Sequence, residues 1–200
     1  SVPTVTVNMR LMRKPGVAEL IDAIDDILEA LDPTFTYTSI QINENFPGNL
    51  HVDRSNAGDS RMLVVGDDAL EGGELWCGGA ILPTRDKMIA FDGNVPHMTM
   101  PYAGAVRYSV VLFTYAQICR NGGDGSALKR ARALGIRSPA RPDHVCKSLR
   151  RLPPKSELLR DARAQIEQSF DRIRARCKVK LGSARAFERE LRRRMETGRA

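Results

Sequence analysis

Close cysteine pairs, long apolar runs and histidine are all scarce in this 200-residue chain, and each scarcity narrows what it can be. The four cysteines (Cys77, Cys119, Cys146 and Cys177) stand far apart. A small disulfide-held secreted domain would carry them more densely, and a zinc site would show paired spacings, so reduced thiols in an intracellular protein are expected. No apolar stretch approaches the roughly 18 residues that cross a bilayer, and no membrane partner is expected. Arg10, Arg13 and Lys14 precede an amphipathic segment rather than a continuous apolar one, unlike a secretory leader. With one tryptophan and three histidines, any imidazole chemistry must come from His51, His97 or His144.

What is present is ordinary in amount and uneven in placement. Hydrophobic residues make up 42% and charged residues 28%, as in a globular protein with one buried core. The net charge of +7 conceals a split. Residues 1–119 hold 8 Lys/Arg against 15 Asp/Glu, and residues 120–200 hold 23 against 9, so −7 is followed by +14. The organisation this implies is a body at 1–119 and a basic helical extension at 120–200. The extension suits a polyanionic partner such as DNA, or simply solvated helix faces rich in Arg.

Period and punctuation give a coarse layout. Residues 3–8 carry a weak strand signal. After Pro15-Gly16, Val17, Leu20, Ile21, Ile24, Ile27, Leu28 and Leu31 repeat at helical intervals, with Asp22, Asp25, Asp26 and Glu29 toward water, until Asp32-Pro33 stops the helix. Short β-branched and aromatic runs then recur at 35–43, 61–65, 74–77, 87–91 and 106–115, parted by turn formers such as Pro47-Gly48-Asn49 and Glu71-Gly72-Gly73. Many short strands at close spacing predict a sandwich or jelly roll, with the N-terminal helix against an outer face. A glycine-rich joint at 121–125 leads to a short basic helix at 126–135. A long helix beginning at Ser156 shows Leu159, Ala162, Ile166, Phe170, Ile173 and Cys177 on one face, expected to bury. A last helix ends in Arg192-Arg193-Arg194.

The chemistry gathers between His51 and Ser109. His51-Val52-Asp53 puts two metal-ligand side chains two apart, which on a strand is one face. His97 follows 46 positions after His51, behind the turn at 92–96, where Asp92 reads as a turn former. Two imidazoles and a carboxylate on one face of an ion leave three octahedral positions open, the pattern of non-haem iron(II) oxygenases. Arg107, ten positions after His97, lies in an apolar strand pattern and needs an anion if buried; a bidentate carboxylate ligand and a structural acid both answer that need. Ser109 shares its face. Asn43 and Asn45 either bond a keto acid or cap the Pro47-Gly48 turn. Trp76 and Tyr102 either stack on a planar substrate or pack in the core. His144, among basic residues and prolines, reads as a surface residue.

His51-x-Asp53…His97…Arg107-x-Ser109 resembles the signature of the 2-oxoglutarate/iron(II) dioxygenase superfamily over about residues 34–115. The resemblance implies a double-stranded β-helix, Fe(II) on His51, Asp53 and His97, and 2-oxoglutarate on Arg107 and Ser109 with Asn43 nearby. It implies an enzyme that uses 2-oxoglutarate and dioxygen to hydroxylate a C–H bond, releasing succinate and carbon dioxide. The run His51-x-Asp53-x-x-Asn56, with Gly72-Gly73-Glu74-Leu75, is further similar to the TET/JBP branch, which oxidises 5-methyl groups of DNA bases. That implies Asn56 beside the base and a nuclear location; the basic run Arg192, Arg193 and Arg194 is then the candidate nucleic acid contact, and Trp76 and Tyr102 are the aromatic substrate candidates. A prolyl or other side-chain hydroxylase shares the same core motif, and a non-catalytic nucleic-acid-binding protein with a relict barrel would keep the charge without the turnover.

Overall fold

The computed structural model describes residues 15–116, 126–139, 153–177, 179, 181 and 183–196. The strand expected at 3–8, the joint at 121–125, His144, Cys119 and Cys146 lie outside the described residues. The chain divides into two compact units, one of residues 1–42, 55–61 and 110–150, the other of 43–54, 62–109 and 151–200.

The first unit contains helix α1, Val17–Leu31, and the short basic helix α2, Ser126–Ala133. Gly16 precedes α1 in the left-handed region, and the Asp32 N–H closes the helix on the Leu28 carbonyl at 2.8 Å. Ile21, Ile24 and Leu28 of the expected apolar face are buried, whereas Leu20 and Leu31 remain exposed. Asp25, expected in water, instead pairs with Arg137 at 3.3 Å, and the same guanidinium reaches Glu29 at 2.8 Å. Arg61 pairs with Asp32 at 2.8 Å and lies over the Phe35 ring. The acidic helix is thus met by arginines distant in sequence, a pairing that helical periodicity does not reveal.

The second unit holds most of the strands and the C-terminal helices. Strands β1 (Ser39–Glu44), β2 (Ser60–Gly66) and β9 (Arg107–Phe113) run across the division. Strands β3 (Glu71–Gly72), β4 (Leu75–Cys77), β5 (Ala80–Leu82), β6 (Ile89–Phe91), β7 (His97–Thr99) and β8 (Tyr102–Ala103) lie within this unit. They form a four-stranded sheet of order β1-β9-β2-β6, a pair β3-β8 and a three-stranded sheet β5-β4-β7. In the antiparallel β4–β7 ladder Cys77 faces His97, Trp76 faces Met98 and Leu75 faces Thr99.

The unit's core joins that ladder to three helices, α3 (Lys155–Gln168), α4 (Phe170–Arg176) and α5 (Ala184–Met195). Leu50, Val52, Trp76, Met98 and Met100 cluster with Leu159, Ala162, Ile166, Ile173, Cys177, Phe187, Leu191 and Met195. The helical stripe read from the sequence is therefore the buried face, and each large apolar side chain so buried contributes about 1.5–3 kcal/mol. The single helix expected from Ser156 to Cys177 is two: Ser169, at φ −105° and ψ 10°, interrupts the ladder while its N–H still bonds the Gln165 and Ile166 carbonyls.

The architecture is mixed α and β, with several antiparallel sheets and an N-terminal helix. No barrel is closed among the described strands. No described helix is long and apolar enough to cross a membrane.

Candidate metal centre

His51, Asp53 and His97 come together, each offering a ligand atom within 4.8 Å of the others. The backbone assembles them: the His51 and His97 residues exchange both N–H···O bonds at 3.0 Å, and the Asp53 N–H bonds the Gly93 carbonyl at 2.7 Å. His97 opens β7 after a turn in which Asp92 accepts the Asn94 N–H at 2.9 Å, the turn-forming role its position suggested.

Each imidazole is oriented by its far nitrogen. His51 Nδ1 lies 2.5 Å from the Asn49 carbonyl and His97 Nδ1 lies 2.8 Å from the Val95 carbonyl. A carbonyl only accepts, so both rings carry their proton on Nδ1 and turn an Nε2 lone pair inward. Those Nε2 atoms stand 3.6 Å and 3.5 Å from the two oxygens of Asp53. Donors bound about 2.1 Å from an ion at right angles lie about 3.0 Å apart, so the three ligand atoms, now within 4.8 Å of one another, would draw closer to seat a divalent cation. Backbone carbonyls on the second nitrogen are the usual way a protein fixes a ligating imidazole.

Electrostatics keep His51 and Asp53 in their ligating forms. Burial lowers the His51 pKa, with His97 adding to the effect, which favours the neutral ring. Burial alone would raise Asp53, but the neighbouring His97 and His51 outweigh it and hold the carboxyl below its ordinary value. Phe91 packs edge-on to His97 at 5.2 Å between centroids.

Arg107 and Ser109 occupy the same buried face of β9, at 1% and 3% exposure. The Arg107 Nη2 donates to the Gly73 carbonyl at 3.1 Å, and its Nε is buried without a hydrogen-bond partner. Among the described residues no carboxylate forms an ion pair with it. Burial draws its pKa down to about 10, with Tyr102 opposing, Arg194 adding and the Glu74 carboxylate opposing, so it is charged at neutral pH. A buried cationic donor left unbonded is costly and calls for an acceptor. Asn43 Nδ2 donates to Ser109 Oγ at 3.1 Å, which leaves the Ser109 hydroxyl proton to donate onward. Asn45 neither caps the following turn nor joins this pair. In the left-handed region at φ 46°, it accepts the Arg107 N–H at 2.9 Å and donates to the Ala105 carbonyl, bracing the arginine's backbone.

The remaining sequence candidates have other surroundings than the metal-ligand set. Asn56 is buried in the first unit, bridged through its backbone to Tyr115. Trp76 is a core residue at 1% exposure. Tyr102 is half-buried beneath the guanidiniums of Arg107 and Arg194. Arg192 and Arg193 face outward on α5, paired with Glu188 and Glu190, while Arg194 turns inward at 3% exposure.

Several supports escaped sequence reasoning. The carbonyls of Asn49, Val95 and Gly73 carry no side-chain signature. Gly73 has one: at φ 78° it is left-handed, and a Cβ there would meet Arg107 Nε at 2.8 Å. Lys155, whose charge acts on His51 and Asp53, and Arg54, which bonds the Pro153 carbonyl, are further neighbours that no motif announces. No protein-family model and no curated protein matches the chain.

Proposed function

We propose that this protein is an Fe(II)- and 2-oxoglutarate-dependent oxygenase that hydroxylates a substrate C–H bond. The observation that carries the reading is the convergence of two Nε2 lone pairs and a carboxylate, each ring locked through its Nδ1. Two imidazoles and one carboxylate are the donor set that suits iron(II) with open positions, where four thiolate or imidazole donors would suit structural zinc. In this reading the strands form the metal-bearing part of a double-stranded β-helix.

His51, Asp53 and His97 would hold the ion. Arg107 would take the distal carboxylate of 2-oxoglutarate through its unbonded Nε, and Ser109, held by Asn43, would donate a further hydrogen bond. Gly73, whose carbonyl holds Arg107, lies two residues before β4, whose last residue, Cys77, is the register partner of His97. When bound, the ion and co-substrate supply the oxidation: 2-oxoglutarate, dioxygen and R–H give succinate, carbon dioxide and R–OH. The chain's own contribution is to orient those partners, and the Phe91 ring, edge-on to His97, helps keep water from that imidazole.

For the substrate we propose a nucleic acid base. Support comes from the sequence, in the motif His51-x-Asp53-x-x-Asn56 and the +14 charge of residues 120–200. The deciding experiment measures succinate release with Fe(II), 2-oxoglutarate and, separately, methylated DNA, unmethylated DNA, RNA and a peptide library. Stimulation by methylated nucleic acid supports both proposals. Stimulation by peptide alone retains the oxygenase and replaces the substrate with a protein side chain.

A further inference from the structure

Tyr102 lies under two guanidiniums that come from separate stretches of the second unit's sequence. The Cζ of Arg107 is 5.2 Å from its ring centroid and the Cζ of Arg194 is 5.0 Å away. Arg194 belongs to the last turn of α5, where an arginine normally points outward and complements the helix dipole, as Arg192 and Arg193 do. Arg194 is instead buried. Its Nε donates to Glu190 at 2.8 Å, its Nη1 donates to the Thr99 carbonyl at 3.2 Å, and its own carbonyl accepts the Leu50 N–H at 2.8 Å. It is therefore fixed to its own helix, to the end of the strand that begins at His97, and to the residue before His51.

Bringing a second cation beside a buried arginine is unfavourable unless something is gained. The face of the tyrosine ring attracts both cations. Besides the attraction of the nearby Glu74 carboxylate, the Arg107 guanidinium makes one hydrogen bond, to the Gly73 carbonyl, and its Nε makes none. One hydrogen bond permits rotation; one hydrogen bond and a ring face do not. The ring in turn is held where Arg194 meets it.

On the reading that Arg107 binds the co-substrate, we propose that Arg194 and Tyr102 are positioning residues that fix the Arg107 guanidinium, so that helix α5 sets the affinity for the dicarboxylate. Neither residue needs to touch the co-substrate for this. What they supply is a preset orientation, so that binding does not have to order the arginine.

The test uses the full chain loaded with Mn(II), titrated calorimetrically with 2-oxoglutarate, together with labelling of unliganded protein by an arginine-directed dicarbonyl, mapped by mass spectrometry. Tyr102→Phe keeps the ring and should bind within about twofold of wild type, whereas Tyr102→Leu and Arg194→Met should each bind about tenfold more weakly. The double variant should be no weaker than the worse single one, because both act through one guanidinium. Mn(II) affinity should not change. Arg107 should resist labelling in wild type and Tyr102→Phe and become reactive in Tyr102→Leu and Arg194→Met. If Arg194→Met unfolds, Glu190→Gln loosens the same guanidinium and should give the same changes in smaller measure.

Wild-type affinity and a protected Arg107 in the Arg194 variants would overturn the proposal, as would a Tyr102→Phe as weak as Tyr102→Leu. Wild-type protein that binds Mn(II) but not 2-oxoglutarate would sink the co-substrate reading instead. The labelling pattern would then still decide the positioning role.

Discussion

At the scale of single residues, the site depends on groups that orient other groups. Gly73 shows this most sharply, since its carbonyl holds Arg107 and its missing side chain leaves room for Arg107 Nε. Gly73→Ala should cost about 1–3 kcal/mol for a left-handed residue with a side chain. It should also weaken 2-oxoglutarate binding while leaving metal affinity intact; calorimetry with each partner separates the two effects. Cys177 offers a pH-dependent prediction. Burial pushes its thiol up to about 12, with Glu74 adding, so the unfolded chain releases that proton first as pH rises. Stability should therefore decline above about pH 9, and Cys177→Ala should make the decline shallower in thermal melts across pH. Residue chemistry was the most legible level of the sequence. With three histidines in the chain, the spacing of His51, Asp53 and His97 stood out, as did an arginine in an apolar strand. The carbonyls of Asn49, Val95 and Gly73 did not, because a backbone acceptor looks the same at every position. Arg194 stands in the sequence as one of three candidate nucleic acid contacts, since a basic run gives no hint of which member turns inward.

Among elements, length decided what could be read. Helix α1 and the stripe from Leu159 to Cys177 span enough turns for the 3.6-residue period to show. Strands β3, β5 and β8, of two or three residues, are too short for alternation to register; β3 falls in the Glu71-Gly72-Gly73 turn signal, and β5 and β8 lie between the expected runs. The helix break at Ser169 was also hidden, because the apolar intervals run through it unbroken. Helix α5 is the element whose contribution is most specific. Leu191 on its inner face is fully buried in the cluster with Met98 and Met100. Leu191→Ala should destabilise the protein by about 2–5 kcal/mol, read as a lowered melting temperature. An unchanged melting temperature would mean that α5 does not pack on the strands as described.

For the molecule as a whole, charge and function meet. Charge asymmetry was plain from composition, while the division into two compact units was not, since each unit gathers three separated stretches of chain. Such long-range pairings leave no local trace. If the basic C-terminal region engages nucleic acid, affinity should fall steeply with salt, and Arg192→Gln with Arg193→Gln should make that dependence shallower. Both arginines are exposed and already paired with Glu188 and Glu190, so a polyanion would have to compete with those glutamates. Absence of binding at low salt would remove nucleic acid from the proposal and leave the metal chemistry standing.

The most direct test of that chemistry is an anaerobic titration of the purified protein with Fe(II) and then 2-oxoglutarate, followed by visible absorption. The proposal expects one Fe(II) to bind and a weak charge-transfer band to appear when 2-oxoglutarate is added. His51→Ala and Asp53→Ala should show neither, and Arg107→Ala should bind iron yet need far more 2-oxoglutarate to develop the band. Wild-type protein that binds no Fe(II), or that binds it and develops no band at any 2-oxoglutarate concentration, would contradict it.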